Sequence, residues 1–98
     1  MKRYNVEFSE EAIADLDSSF EWGCGHWGPA QAADWYFDIR DSIINSLGSL
    51  PLGHPIAPED HEYEVEVRQM TIGRYSVIFN VNKNVVTILK IRGPYSGR

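Results

Sequence analysis

The cations Arg68, Arg74, Lys83, Lys90, Arg92 and Arg98 all fall within residues 67–98, a stretch that contains no carboxylate. Residues 1–66 hold three bases (Lys2, Arg3, Arg40) against fourteen acids, a net −11, and residues 67–98 stand at +6, which gives the overall −5. Guanidinium and ammonium groups free of sequence-local carboxylates suit an anion, whether a phosphate backbone or the charge that grows on a phosphate under attack. An acidic remainder suits a basic partner. Halves of opposite sign therefore predict one surface for an anionic partner and a second for a cationic one.

Other reactive side chains are scattered. His26, His54 and His61 sit in segments of different character, and Cys24-Gly25-His26 is not a ligand spacing, so no metal site is expected. A lone cysteine allows no internal disulfide. His61, beside Glu59 and Glu62, has the composition of an acid–base pair, although a surface histidine has the same signature. No cofactor motif is present.

These residues must be positioned by elements that the patterning makes legible. Tyr4, Val6 and Phe8 alternate with Arg3, Asn5 and Glu7, which predicts a strand with one buried side. Ser9 is an N-cap, with Glu10 and Glu11 at the positive end of a helix. Ala12, Ile13, Leu16 and Phe20 give that helix an apolar face, which Trp27 continues. A break is expected within residues 23–28, where Gly23, Gly25 and Gly28 fall. Pro29 opens a second helix whose stripe is Ala33, Tyr36, Ile39, Ile43, Leu47 and Leu50, with Asp34, Asp38 and Asp41 opposite. Gly48 and Pro51 end it, and residues 51–60 read as loop. Strands follow over 63–72, 74–81 and 85–92, the last apolar on both faces as a central strand should be. The order is β-α-α-β-β-β, an α+β fold in which an antiparallel sheet packs against an N-terminal helical hairpin.

A hydrophobic content of 43% with 23% charged residues fits a folded domain rather than a disordered chain, and residues 1–98 are read as one such domain. No apolar run could span a bilayer and no apolar h-region follows Lys2 and Arg3, so no membrane partner and a cytoplasmic location are expected.

Several strings, taken in order, resemble the RelE/ParE superfamily of bacterial toxins from type II toxin–antitoxin systems. They are Phe8-Ser9-Glu10-Glu11-Ala12 with Asp15-Leu16 one turn on, Trp27-Gly28-Pro29 with Ala32-Ala33, and the helix end from Leu47 to Pro51. Glu66-Val67-Arg68, Gly73-Arg74-Tyr75-Ser76-Val77-Ile78-Phe79 and Val86-Thr87-Ile88-Leu89-Lys90-Ile91-Arg92 complete the match, which covers essentially the whole chain. The resemblance implies one of two activities. RelE-like members cut messenger RNA on the ribosome without a metal, by attack of a 2′-hydroxyl on the adjacent phosphate. ParE-like members share the fold but poison DNA gyrase. It also implies a cognate antitoxin.

Carried over, the resemblance makes Arg68, Arg74, Arg92 and Tyr95 the catalytic set if the chain is a ribonuclease. Arg68, Arg74, Lys90, Arg92, Tyr95 and Arg98 become the target-binding set. Trp22 and Trp35, off the main helical stripes, are the expected antitoxin contacts. Two departures bear on the choice. Thr71 stands where the ribonuclease branch has an arginine. The segment 58–66, which should supply lysines, holds Glu59, Asp60, Glu62, Glu64 and Glu66 instead. Carboxylates beside an RNA phosphate repel it, so the ParE-like branch is favoured, with the RelE-like enzyme and a non-toxic antitoxin-binding module as alternatives.

Overall fold

The computed structural model of the chain describes residues 3–94. Strand β1 (Asn5–Phe8) leads into helices α1 (Glu10–His26) and α2 (Pro29–Ser49), then through 3-10 turns Pro51–Gly53 and Pro58–Glu62 into β2 (Arg68–Ile72), β3 (Tyr75–Asn82) and β4 (Val85–Arg92). The sheet order is β1-β4-β3-β2. The meander β2–β3–β4 is antiparallel, as the patterning predicts, and β1 joins the far side of β4 in parallel, Val6 opposite Val86 and Phe8 opposite Ile88. The sheet is therefore mixed, and β4 is the central strand its apolar sequence calls for.

Ser9 organises the junction between β1 and α1. Its Oγ accepts from Ala12 N at 3.1 Å, an N-cap bond, and donates to Leu89 O at 3.2 Å. Its backbone N–H donates to Ile88 O at 2.9 Å, and Asp15 Oδ2 accepts from Ile91 N at 2.9 Å. The start of α1 thus closes the edge of β4 beyond the last residue of β1.

The buried face of α1 is Ala12, Leu16, Ser19 and Gly23, and Ile13 is exposed, contrary to the face expected from hydropathy alone. Small side chains at Ala12, Ser19 and Gly23 let the helix approach its neighbours closely, and Ile13 falls outside that contact. Gly23 does not break the helix. A Cβ there would lie 3.1 Å from the Trp27 ring and 3.2 Å from Ala32 Cβ, so glycine is what permits α1 and α2 to close at this end. The break comes at Trp27 and Gly28, whose φ of +99° is readily reached only without a side chain. Trp27, expected in the core, is half-buried over Gly23.

Along α2, Ala32, Ile39, Ile43 and Leu47 are buried, whereas Leu50 caps the helix end and is exposed. The hairpin covers the sheet face carrying Val77, Phe79, Val86, Ile88 and Ile91. A smaller core of Ala57, Val67 and Ile78, flanked by Tyr63 and Leu89, lies on the opposite face. The pairing shifts between Ile78 and Phe79, because Ile78 faces Lys90 while Phe79 faces Ile88, which leaves Leu89 as a bulge residue in β4.

The expected strand over 63–72 begins only at Arg68. The preceding residues belong to a strap, 54–67, fastened by its own hydrogen bonds. Ala57 N donates to Val67 O and Gln69 N to Pro55 O, each at 2.9 Å, and Asp60 Oδ1 accepts from Val67 N at 2.9 Å. Those bonds use the backbone groups that further ladder pairing would need.

Candidate target-binding face

The central question is whether the cations of residues 67–98 form an open anion site. Within β4, Arg92 pairs with Ser76 and Lys90 with Ile78, which puts both on the sheet face away from the hairpin. The strap reaches that face. Glu59, in the second 3-10 turn, sets an oxygen 2.7 Å from Arg92 Nη2. The Glu59 side chain is only 13% exposed, and its Oε1 is buried without a hydrogen-bond partner among the described residues.

Arg68 is similarly engaged. Its Nη1 donates to His54 O at 2.6 Å, its Nη2 lies 3.2 Å from Glu66 Oε1, and its Nε is buried without a partner among the described residues. Because Arg68 pairs with Phe79 across the ladder, it lies on the hairpin side of the sheet and not beside Arg92. Lys90 Nζ sits 3.8 Å from Glu11 Oε2 of α1. Arg74 differs: it is exposed beside Gly73 in the β2–β3 turn and makes no ion pair among the described residues. Tyr95 and Arg98 lie outside the described residues.

The expected cation set is thus divided by the fold. Arg68, Lys90 and Arg92 each carry an internal carboxylate, two of them from the acidic segment 58–66. The sequence signal was present in Glu59 and Glu66, but only the strap's path across the sheet reveals which base each one meets. His54, in the strap, stands edge-on to Phe79 with ring centroids 5.9 Å apart, and burial lowers its pKa below the usual 6.5. His61 is exposed. Its Nδ1 lies 3.1 Å from Pro58 O and so carries the proton, since a carbonyl only accepts, while its Nε2 is 3.9 Å from Glu62. No group of three or more metal-ligating residues gathers among the described residues.

The expected antitoxin contacts are also placed. Trp22 stacks on His26 at 3.9 Å and 12°, His26 Nδ1 donating to Trp22 O at 2.7 Å, and meets Trp27 edge-on at 5.3 Å. Trp35 packs against the main core, its ring 5.5 Å from that of Tyr75. It lines a cleft of about 520 Å³ between α2 and the β2–β3 turn, together with Asp34, Asp38, Gly73, Arg74 and Tyr75. Both tryptophans are half-buried. The aromatic that stands out into solvent is Phe37, 58% exposed, which the pattern analysis did not single out. Its signal was an aromatic set among Asp34, Asp38 and Asp41.

The chain belongs to the ParE toxin family: residues 6–93 match the family described as the ParE toxin of type II toxin-antitoxin system, parDE. It is the toxin type of such a system. Among solved structures, a chain of the chromosomal ParDE toxin–antitoxin system from P. aeruginosa superposes with a TM-score of 0.75 at 24% identity, over 93% of this chain and 96% of that one. A chain of the toxin–antitoxin complex RelBE2 from Mycobacterium tuberculosis gives 0.64 at 19% identity, over 98% and 97%. At those identities the likeness is one of fold. No curated protein matches the chain. No described helix is long and apolar enough to cross a membrane.

Proposed function

We propose that this toxin acts by the ParE-like route, inhibiting growth by poisoning DNA gyrase in the cytoplasm, and that a cognate antitoxin neutralises it. The observation that carries the choice of route is the Glu59–Arg92 pair. Cleavage of RNA without a metal needs unshielded cations around the phosphate as its charge grows. Here the cation at the end of β4 already holds a carboxylate at 2.7 Å, and Arg68 is tied to the strap and to Glu66. Thr71, exposed on β2, supplies no charge where the ribonuclease branch has an arginine.

In this reading Arg74 leads the contact with the target, supported by Arg68, Lys90, Arg92 and Arg98, and Tyr95 belongs to the same set. The half-exposed edges of Trp22 and Trp35 are offered to the antitoxin. The test is induction of the chain alone in bacteria, followed by two readouts. DNA breaks with a damage response and uncut messages are expected, together with inhibition of supercoiling by purified gyrase. Site-specific cuts in translated messages would overturn the route in favour of the RelE-like enzyme. Normal growth with soluble, folded protein would leave only an antitoxin-binding module.

A further inference from the structure

The cleft between α2 and the β2–β3 turn, at about 520 Å³, has the size of a small-ligand site, for which about 300–1,000 Å³ is usual. Trp35, Ile72 and Tyr75 give it an apolar floor, and Asp34, Asp38 and Arg74 give it charge. Tyr75 is buried and the half-buried Trp35 ring lies 5.5 Å from it, so the floor is held by the core. The mouth is open at Gly73, where an added Cβ would meet no atom within 4 Å.

The charges lining this cleft are unanswered. Asp34, Asp38 and Arg74 are exposed, and none forms an ion pair among the described residues, whereas Arg68, Lys90 and Arg92 each do. The two acids stand on the α2 wall one helical turn apart, a spacing that sets Cβ atoms about 5–6 Å from each other. Arg74 stands on the opposite wall, in the turn. Two carboxylates facing one guanidinium leave the cleft with an excess of negative charge. A ligand that answers every charge carries two cations and one carboxylate.

We propose that this cleft binds a free basic amino acid, arginine in preference to lysine. The α-carboxylate of the ligand pairs with Arg74, and its two cationic groups pair with Asp34 and Asp38. Its aliphatic stem bridges the helical turn between the acids and lies along Trp35. A guanidinium stacks on an indole and forms two parallel bonds to a carboxylate, which an ammonium does not, and this favours arginine. Other ligand classes leave a charge unmet. A nucleotide sets phosphates beside two carboxylates, and a simple amine leaves Arg74 without a partner. An apolar molecule desolvates all three charges without compensation.

Titration of the full-length ¹⁵N-labelled protein with L-arginine tests the proposal, with sodium chloride at equal concentration as the control. Saturable shifts are expected at the Trp35 indole N–H and at the Asp38, Gly73 and Arg74 amides. Citrulline replaces the guanidinium by a neutral urea, and agmatine lacks the carboxylate. Each should bind about tenfold more weakly than arginine. Arg74→Gln, at an exposed turn position, should weaken arginine about tenfold and should not weaken agmatine. Asp38→Asn should weaken both by about threefold to tenfold. Citrulline binding as tightly as arginine, unchanged arginine affinity in Arg74→Gln, or no saturable shift in the cleft up to about 20 mM arginine would overturn the proposal. Growth inhibition enters none of these readouts, so their outcome is independent of the gyrase route.

Discussion

Removing either partner of the Glu59–Arg92 pair should destabilise the fold unequally, and the inequality is the sharper expectation. Unit charges about 4 Å apart interact by about 4 kcal/mol at an effective dielectric of 20 and about 1 kcal/mol in bulk water. Glu59 is 13% exposed and Arg92 is 56% exposed, so the pair lies between those limits, nearer the wet end for the arginine. A coupling energy of about 1–2 kcal/mol follows after discounting for solvent. Glu59→Gln keeps the shape and an acceptor for Arg92, and should cost about 1 kcal/mol. Arg92→Gln leaves a mostly buried carboxylate without its cation, its Oε1 already unpartnered, and should cost about 2–3 kcal/mol. In the double variant the orphaned charge is gone, so its cost should fall below the sum of the two single costs by the coupling energy, to about 2 kcal/mol. Urea unfolding followed by tryptophan fluorescence measures all four corners of the cycle, with slopes expected to stay constant. For a domain of this size each 1 kcal/mol moves Tm by about 4–8 °C. Equal costs for the two single variants, or a coupling below about 0.3 kcal/mol, would refute the view that the strap is latched to the sheet through this pair.

Two glycines should respond in opposite directions to alanine. At Gly48 an added Cβ would press on the movable far end of the Arg3 side chain, at 2.9 Å, and reach Tyr4 O at an ordinary 3.6 Å, so Gly48→Ala should gain about 0.5–1 kcal/mol in urea unfolding. At Gly93 it would collide with the buried Tyr75 ring, and Gly93→Ala should lose about 1–3 kcal/mol in the same measurement. His54 has a pKa lowered by burial, so the unfolded chain binds its proton first on acidification. Its contribution is complete above about pH 6.5, the unfolded value, and is lost as pH falls through the folded value. Urea midpoints between about pH 7.5 and 5 should therefore decline less in His54→Gln than in the parent. Ser9→Ala removes both the α1 cap and the bond to Leu89 O, and should cost about 1–2 kcal/mol, read out by thermal unfolding.

The parts of this fold that were legible in the sequence are those governed by local chemistry. Ser9 announces a helix start through its hydroxyl, Pro29 another through its fixed φ, and the double-faced run in β4 announces a central strand. Contacts between distant segments were less legible. Nothing local to residues 63–67 says that they arch over the sheet, because the bonds that hold them come from Ala57 and Asp60. The same holds for the site. The acids of 58–66 were visible and so was their conflict with RNA, but their pairing with Arg92 and Arg68 depends on a loop trajectory. Ile13 misled because hydropathy does not report how closely two elements approach, which Ala12, Ser19 and Gly23 do. Phe37 was overlooked because a stripe of buried residues draws attention away from the apolar residue outside it.

The parallel pairing of β1 with β4 has a consequence for synthesis. Asn5 lies opposite Val85, Ser9 Oγ bonds Leu89 O across 80 residues of sequence, and Asp15 accepts from Ile91 across 76. The first strand therefore has no strand partner, and the Ser9 hydroxyl has only its local bond to Ala12 N, until β4 has left the ribosome. The hairpin can wind early, since its contacts are local, but the apolar stripe of Leu16, Ile43 and Leu47 waits for a sheet whose centre is made last. A chain interrupted before β4 lacks the strand that both β1 and β3 require. The order of translation makes β4 a condition of folding, so the sheet that positions the helical hairpin is assembled only once that strand has been made.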